Sequence, residues 1–383
     1  MRTRDPVSEG LDVSVIVPAR NEEACLGACL QSLANQAGVS FEIIVVDDGS
    51  TDRTAEIVRS FHGVRVVSPG PLPPGWTGKN NALVAGAKVA RGEWLLFTDA
   101  DTVHRAGSLA RSMAEVRERG VALLSYSPEQ EVHGIWEKSV MPVIFAELAS
   151  TYRPSQVSDL ASPAAAANGQ YILVSREAYE AVGGHTAVAT SLLEDVALAR
   201  AVKGSGRKIF FRYGGDAVRT RMYRSLAQLK EGWTKNLVLL FRSPVLLALL
   251  RLTEFVLIVC SVAMAVVAGV TGRTRTSAAI AILSVILLGF LLKRIRKAHF
   301  SWDANCLALI GLPVFSYLLF RSRIAYQKGS VSWKGRNYAA NRGFAMSDEV
   351  LTGHSHDSSR EPGATLTRTV SLKVKHGLPN SQS

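Results

Sequence analysis

Residues 13–54 read VSVIVPARNEEACLGACLQSLANQAGVSFEIIVVDDGSTDRT. Two short apolar runs, VSVIVPA (13–19) and FEIIVVDD (41–48), bracket NEEACLGACLQSLANQ (21–36), whose apolar positions fall at 26, 29, 30 and 33. Short apolar runs bounded by turns read as buried strands, and the 3–4 spacing marks one face of a helix. Asn21 is expected to cap that helix, with Glu22 and Glu23 in its first turn. The alternation then repeats along the chain. GSTDRTAEIVRSFH reads as a capped helix, VRVVS (64–68) as a third strand, and PGPLPPGWTG (69–78) as a loop. KNNALVAGAKVA is the next helix, WLLFTDAD (94–101) the fourth strand, 106–119 a further helix and VALLSYS a further strand. Successive βα units predict an α/β domain with a mostly parallel sheet, helices on both faces and right-handed crossovers.

Ligands of such sheets bind beyond the carboxyl ends of the strands. That places Pro18–Arg20, Asp47–Asp48 and Asp99–Asp101 on one rim. A single acidic pair at a strand end is ordinarily a solvated turn. Acidic clusters ending two parallel strands point to a site. Two carboxylates one residue apart, Asp99 and Asp101, can face one ligand. One can reach a hard divalent ion, the other a sugar hydroxyl or a metal-bound water.

The chain has 383 residues, of which 47% are apolar and 20% charged, and its mean hydropathy is +0.13. That composition excludes disorder over the whole length. Four sparse cysteines (Cys25, Cys29, Cys260, Cys306) exclude a disulfide scaffold and read as reduced thiols. Charge divides the sequence: residues 1–206 carry a net −6 and residues 207–383 a net +18. The basic half suggests nucleic acid or an anionic membrane face. Its apolar runs decide for the membrane, and no nucleic-acid-binding module is recognisable. A dehydrogenase is disfavoured because the first strand ends in PARNEE, without G-x-G-x-x-G.

The expected organisation is a polar tail at 1–11 without a secretory signal, a cytosolic catalytic domain at 12–236 and a membrane region at 237–328. Within that region the apolar segments are about 246–270, 277–292 and 302–320. A basic juxtamembrane segment at 329–344 and a disordered tail at 345–383 follow. Positive charge at 293–297 and after 320 favours two crossings, with the third segment re-entrant or interfacial. GIWEKSVMPVIFAELAS (134–150) reads equally as an interfacial or a buried helix.

Taken together, VSVIVPARNEE (13–23), IIVVDDGSTDRT (43–54), GWTGKNNAL (75–83), LLFTDAD (95–101) and SLLEDVALARAVKGSGRK (191–208) resemble the inverting glycosyltransferases of family 2. The resemblance covers roughly residues 12–240 and implies the GT-A nucleotide-diphospho-sugar fold. GWTGK (75–79), RMYRS (221–225), GWTKN (232–236) and WKGR (333–336) are similar to membrane-bound bacterial members acting on hopanoid, carotenoid or ceramide-type lipids. The resemblance implies that Pro18, Ala19, Arg20 and Glu22 form the first nucleotide-contacting loop, and that Asp48 hydrogen-bonds the base, typically uracil. It implies Asp99 near the ribose and metal, Asp101 as ligand of Mg²⁺ or Mn²⁺, and Asp195, beside Glu194, as the catalytic base. Lys79 reads either as a cation for the diphosphate or sugar or as a surface lysine. Arg221, with Arg219 and Arg224, reads as an acceptor-side or head-group cation or as a solvated run, and His185 as structural. Processive members carry a Gln/Arg-x-x-Arg-Trp motif. Here QLKEGW (228–233) keeps Trp233, on the acceptor side, but lacks the arginine. The expected function is therefore one sugar transferred from a nucleotide-sugar, a UDP-sugar above others, to a hydroxyl of a membrane lipid. The alternative acceptor is a polyprenyl phosphate.

Overall fold

The computed structural model describes residues 10–333 and 335–337. Most of the expected N-terminal tail, the end of the basic segment and the whole of 345–383 lie outside the described residues. The first half of the chain runs β1 (Val13–Ala19), α1 (Leu26–Ala34), β2 (Phe41–Asp47), α2 (Thr54–Arg59), β3 (Val64–Val67), α3 (Gly78–Val89), β4 (Trp94–Phe97), β5 (Thr102–His104), α4 (Ser108–Arg119) and β6 (Leu123–Ser127). There follow β7 (Glu129–Gln130), α5 (Ile135–Thr151), α6 (Pro154–Ser158), β8 (Ile172–Ser175), α7 (Arg176–Ala181), α8 (Gly184–Ala187), α9 (Glu194–Gly204), β9 (Ile209–Tyr213), β10 (Val218–Thr220) and α10 (Leu226–Leu240). Three long helices, α11 (Pro244–Val270), α12 (Thr274–Ile295) and α13 (Trp302–Gln327), precede the small hairpin β11 (Ser332–Trp333) and β12 (Arg336–Asn337).

Seven strands form one sheet in the order β3-β2-β1-β4-β8-β6-β9. All neighbours are parallel except β8, which runs against both β4 and β6. The register sets Ala19 beside Asp47 and Ile16 beside Phe97, so the carboxyl ends of β1, β2 and β4 share one edge. Alternate residues of a strand face opposite ways. Val15, Val17 and Val45 accordingly pack with Leu26, Leu30 and Met113 of α1 and α4. Ile16, Ile44 and Leu95 pack with Leu83 of α3 and Leu198 of α9 on the other face. The expected α/β architecture is the one observed.

The first helix differs from expectation. It begins at Leu26, and Asn21 is not its cap. Asn21 adopts φ +54° and accepts a hydrogen bond from the Thr51 amide through its side chain at 2.8 Å. The amides of Asn21, Glu22 and Glu23 donate to Ser50 Oγ, Thr54 Oγ1 and Asp52 Oδ2. The polar residues of PARNEE and DDGSTD are thus consumed in lacing two rim loops together.

The expected boundary at 236–237 falls inside α10. The stretch 134–150 is a helix whose Val140, Val143 and Ile144 are fully buried, while Ile135 and Trp136 at its start are exposed. The third apolar run is one unbroken 26-residue helix through Pro313. Gly311 lets α13 come against α5: a Cβ there would lie 1.9 Å from the Ser139 carbonyl oxygen.

Among the apolar helices, four charges close on one another. Glu147 of α5 meets Arg251 and Arg294 at 3.0 and 3.2 Å, and Glu254 meets the same two at 2.7 and 2.8 Å. This is how α11 tolerates Glu254 next to an apolar span: each charge has two opposite neighbours. Removing one member of such a group typically costs about 3–5 kcal/mol. Glu254→Met should therefore lower the melting temperature in detergent by several degrees. Glu254→Met with Arg294→Met, which keeps the Glu147–Arg251 pair, should recover most of the loss.

Candidate active site

The rim carboxylates open into a cleft of about 630 Å³. Pro18 and Ala19 line it from the end of β1, Arg20 and Glu22 from the loop that follows, Asp48 from just after β2, and Asp99 and Asp101 from the turn after β4. Lys79 enters from the start of α3, Glu194 and Asp195 from the start of α9, and Trp233 from α10. The cleft therefore gathers every sequence-predicted site residue except Arg221. Arg221 lines a separate, smaller recess and pairs with Glu137 at 3.3 Å, which fixes α5. Its neighbours Arg219 and Arg224 line that recess as well, and Arg219 is paired with Glu131 at 2.9 Å.

Local folding explains how the pieces meet. Thr77 caps α3, accepting from the Asn80 amide at 3.1 Å. The buried Asn80 side chain donates to the carbonyls of Val188, Ala189 and Ser191. Those bonds pin the loop that leads into α9. One residue earlier, Lys79 Nζ lies 2.8 Å from Asp99 Oδ1 and 2.8 Å from Glu194 Oε1. The lysine is thus neither a surface cation nor a free one: it joins the end of β4 to the start of α9.

Two adjacent carboxylates end up in different electrostatic states. Burial alone would raise Glu194, but Lys79, then Lys235, outweigh it and hold Glu194 below the usual carboxylate range. Asp195 is pushed up to about 6, first by burial and then by the Glu194 charge. The amides of Gly169 and Val196 donate to its two oxygens at 2.9 and 2.8 Å and fix the carboxylate plane. Divergent environments for paired acids mark distinct roles. Lys79 carries the counter-charge for Glu194, and Asp195 remains the group poised to exchange a proton.

Sequence reasoning missed five contributors. Gly169 and Asn80 act through an amide and a carboxamide, which carry no charge signal. Lys235, buried in the cleft with its pKa drawn down by desolvation, sits in GWTKN, where a lysine in an apolar run was the available clue. Arg336 and Trp333 also line the cleft, from beyond the apolar helices. His185 is buried, hydrogen-bonded to Tyr179 and edge-on to Phe97, as a structural residue. The lining also includes apolar side chains, Phe145 and Leu148 of α5, Tyr152 just after it and Leu240 of α10.

No group of three or more His, Cys, Asp and Glu suited to a metal occurs among the described residues. Asp99 and Asp101 nevertheless suit the mode in which Mg²⁺ or Mn²⁺ is held by one or two carboxylates plus substrate phosphates. Both are oxygen donors on one cleft wall. After burial itself, their negative charge is the next cause pushing the buried Cys29 thiol up.

Residues 14–183 match the family described as Glycosyl transferase family 2. The 4,4'-diaponeurosporenoate glycosyltransferase of Staphylococcus aureus is 31% identical over 233 residues, and that of Staphylococcus haemolyticus 32% over 237. Each match covers 59% of this chain and 60% of the relative, so the chain spans about three-fifths of the length of these curated relatives. Among solved structures, a mannosyltransferase from Pyrobaculum calidifontis in complex with GDP-Man and Mn²⁺ is similar at 17% identity and TM-score 0.48, over 84% of this chain and 90% of that one. Glucosyl-3-phosphoglycerate synthase from Mycobacterium tuberculosis, in complex with Mn²⁺, UDP-Glc and phosphoglyceric acid, is similar at 22% identity and TM-score 0.40, over 60% and 79%. The laced rim loops, the strand-end carboxylates Asp48, Asp99 and Asp101 and most of the parallel sheet fall within residues 14–183, the part of the chain that is similar to glycosyl transferase family 2.

Proposed function

We propose that the protein moves a single sugar, with inversion, from a nucleotide-diphospho-sugar, a UDP-sugar above others, to a hydroxyl of a membrane lipid. The observation that carries this reading is Asp195, fixed by two amides and pushed up to about 6, between an acidic rim and an apolar wall. In the proposed reaction the acceptor hydroxyl attacks the anomeric carbon from the face opposite the leaving group. Its proton passes to the Asp195 carboxylate, and the bond to the diphosphate oxygen breaks with its electron pair leaving on the nucleoside diphosphate. One displacement needs one base, and general-base assistance is worth roughly 10²–10⁴-fold. Asp101 with Asp99 would hold a divalent ion, which when bound supplies Lewis-acid neutralisation of the leaving diphosphate. Rim residues 18–22 and Asp48 would hold the nucleoside. The apolar wall of Phe145, Leu148, Tyr152 and Leu240 suits a lipid, and the curated relatives are named for transfer to 4,4'-diaponeurosporenoate. A polyprenyl phosphate acceptor is the second reading, supported by the buried Lys235 cation near Glu194 and Asp195.

For placement, we propose a cytoplasmic catalytic domain, two crossings by α11 and α12, and α13 lying in the inner membrane interface. All three helices are long and apolar enough to cross, but α13 is half-buried in the protein whereas the other two are largely exposed. Both ends of α13 are tied to the α5 and α10 region: Asp303 to Lys138, and Ser322 and Tyr326 to the carbonyls of Thr234 and Lys235. Just before α13, His299 stacks on Tyr213 of the sheet. A 26-residue helix is about 39 Å long, so a helix anchored at both ends to one body runs along it. In a cysteine-free background, a cysteine at Gly272 should react with an impermeant maleimide from outside intact cells, while cysteines at Ser301 and Lys328 should not. Outside labelling at either of the last two would sink the arrangement.

Detergent-purified protein, offered UDP-sugars with Mn²⁺ or Mg²⁺ and host lipid extract, should release UDP in a lipid-dependent, EDTA-sensitive manner. Asp101→Ala and Asp195→Asn should each lose at least 100-fold in turnover, and Asp195→Asn should still bind UDP. Near-normal turnover in Asp195→Asn would favour the phosphate acceptor, which has no proton to give up. The pH profile follows from the raised pKa. Asp195 accepts a proton only when ionised, so kcat/KM should fall about tenfold per pH unit below 6 and level off above it. A flat profile from pH 5 to 8 would remove Asp195 as the base.

A further inference from the structure

The hairpin of β11 and β12 follows the apolar helices, yet its side chains return to the cleft. Trp333 and Arg336 face each other across the two strands and so project from the same side. The Trp333 ring lies over the Lys235 ammonium, 5.5 Å from nitrogen to ring centroid. The Arg336 guanidinium takes both oxygens of Asp48, at 2.5 and 3.0 Å. Its seat is Gly78: a Cβ there would fall 1.5 Å from Arg336 Nη1 and 2.7 Å from Asp48 Oδ2. Arg20 approaches from the other side and donates to the Asp48 carbonyl at 2.6 Å. Arg20 thus holds the Asp48 backbone, with its guanidinium also 3.9 Å from Oδ2, while the close contacts to both carboxylate oxygens come from Arg336, 288 residues away in sequence.

We propose that Arg336 is a donor-positioning residue, delivered from beyond the membrane helices, which fixes the Asp48 carboxylate in the orientation that accepts hydrogen bonds from the nucleoside base. The inference rests on the nucleotide-sugar reading of the cleft. A forked guanidinium engages each carboxylate oxygen once. Each oxygen has two lone pairs, so acceptor capacity remains for a base N–H. Lysine, a point charge without the fork, is a poor substitute.

The test is a titration of the full-length protein in detergent with UDP and with UMP. Arg336→Ala should weaken both at least tenfold and by the same factor, because the effect passes through Asp48 at the nucleoside end. Arg336→Lys should recover only part of the loss. Gly78→Ala, which unseats the guanidinium, should reproduce the loss, and the double variant should be no weaker than either single. In turnover the donor KM should rise by the same factor, with kcat at saturating donor within threefold of wild type and acceptor KM unchanged. UDP affinity within twofold of wild type in Arg336→Ala would overturn the proposal. So would tighter binding, which would make Arg336 a competitor of the donor, and so would a loss for UDP without one for UMP, which would place it on the phosphates. If Arg336→Ala does not fold, Arg336→Lys and Gly78→Ala decide the matter alone. A wild type that binds UDP but transfers no sugar would sink the transferase reading and leave the Arg336 result standing.

Discussion

One ammonium organises the catalytic end of this molecule. Lys79 sits at the start of α3 and touches Asp99, in the turn after β4, and Glu194, the first residue of α9. Without it, Asp99 and Glu194 would face each other as like charges across a partly dry cleft, where repulsion is weakly screened. With it, Glu194 is paid off electrostatically, held below the usual range, and the neighbouring Asp195 is left to carry the raised pKa. The acid–base assignment is thus a property of the lysine as much as of the aspartate. Asn80 does the complementary mechanical work by pinning the loop before α9, so the charge pattern and the backbone position that supports it come from adjacent residues of one helix.

The parallel sheet was legible because its strands are short apolar runs with acidic ends, a pattern that survives any detail of packing. The rim was legible for the same reason, and eleven predicted residues reach one cleft. What failed was the attribution of polar residues to local roles. Asn21 looks like a helix cap, yet its side chain serves the Thr51 amide, thirty residues on. Arg221 looks like a site cation, yet Glu137 takes it, because the order of β10 in the small second sheet turns that arginine toward α5. Gly169 and Asn80 could not be found by any reading based on charge. Pro313 lies inside α13 without breaking it: an interior proline ordinarily costs a helix about 3 kcal/mol, and here α13 is packed against α5 and α11 along its length.

The membrane-facing part follows a related logic of shared charge. Glu147, Arg251, Glu254 and Arg294 lock α5 to the base of the α11–α12 pair. α5 also supplies apolar lining of the cleft, through Phe145 and Leu148, with Tyr152 just after its end. The apolar helices and the apolar part of the cleft are therefore mechanically one piece, and Lys297 and His299, in the link between α12 and α13, line the same cleft.

The two ends of the cleft now differ in how they are built. At the apolar end, α5 and α10 present hydrocarbon beside helices suited to a bilayer; in the proposed reaction a lipid would reach Asp195 without its chain crossing water, which avoids the hydrophobic cost of extraction. At the polar end, Asp48 is set by residues from two distant parts of the chain, Arg20 from the first strand and Arg336 from the hairpin after the last apolar helix. The chain that leaves the sheet to form the apolar helices thus comes back to complete the rim. A catalytic domain cut away at the end of α10 would keep every strand and every predicted carboxylate, but would lose the α11–α13 helices, Trp333 and Arg336, and with them the couplings at both ends of the cleft. The sheet and the cleft carboxylates belong to the first 240 residues, whereas a complete cleft requires the whole described chain.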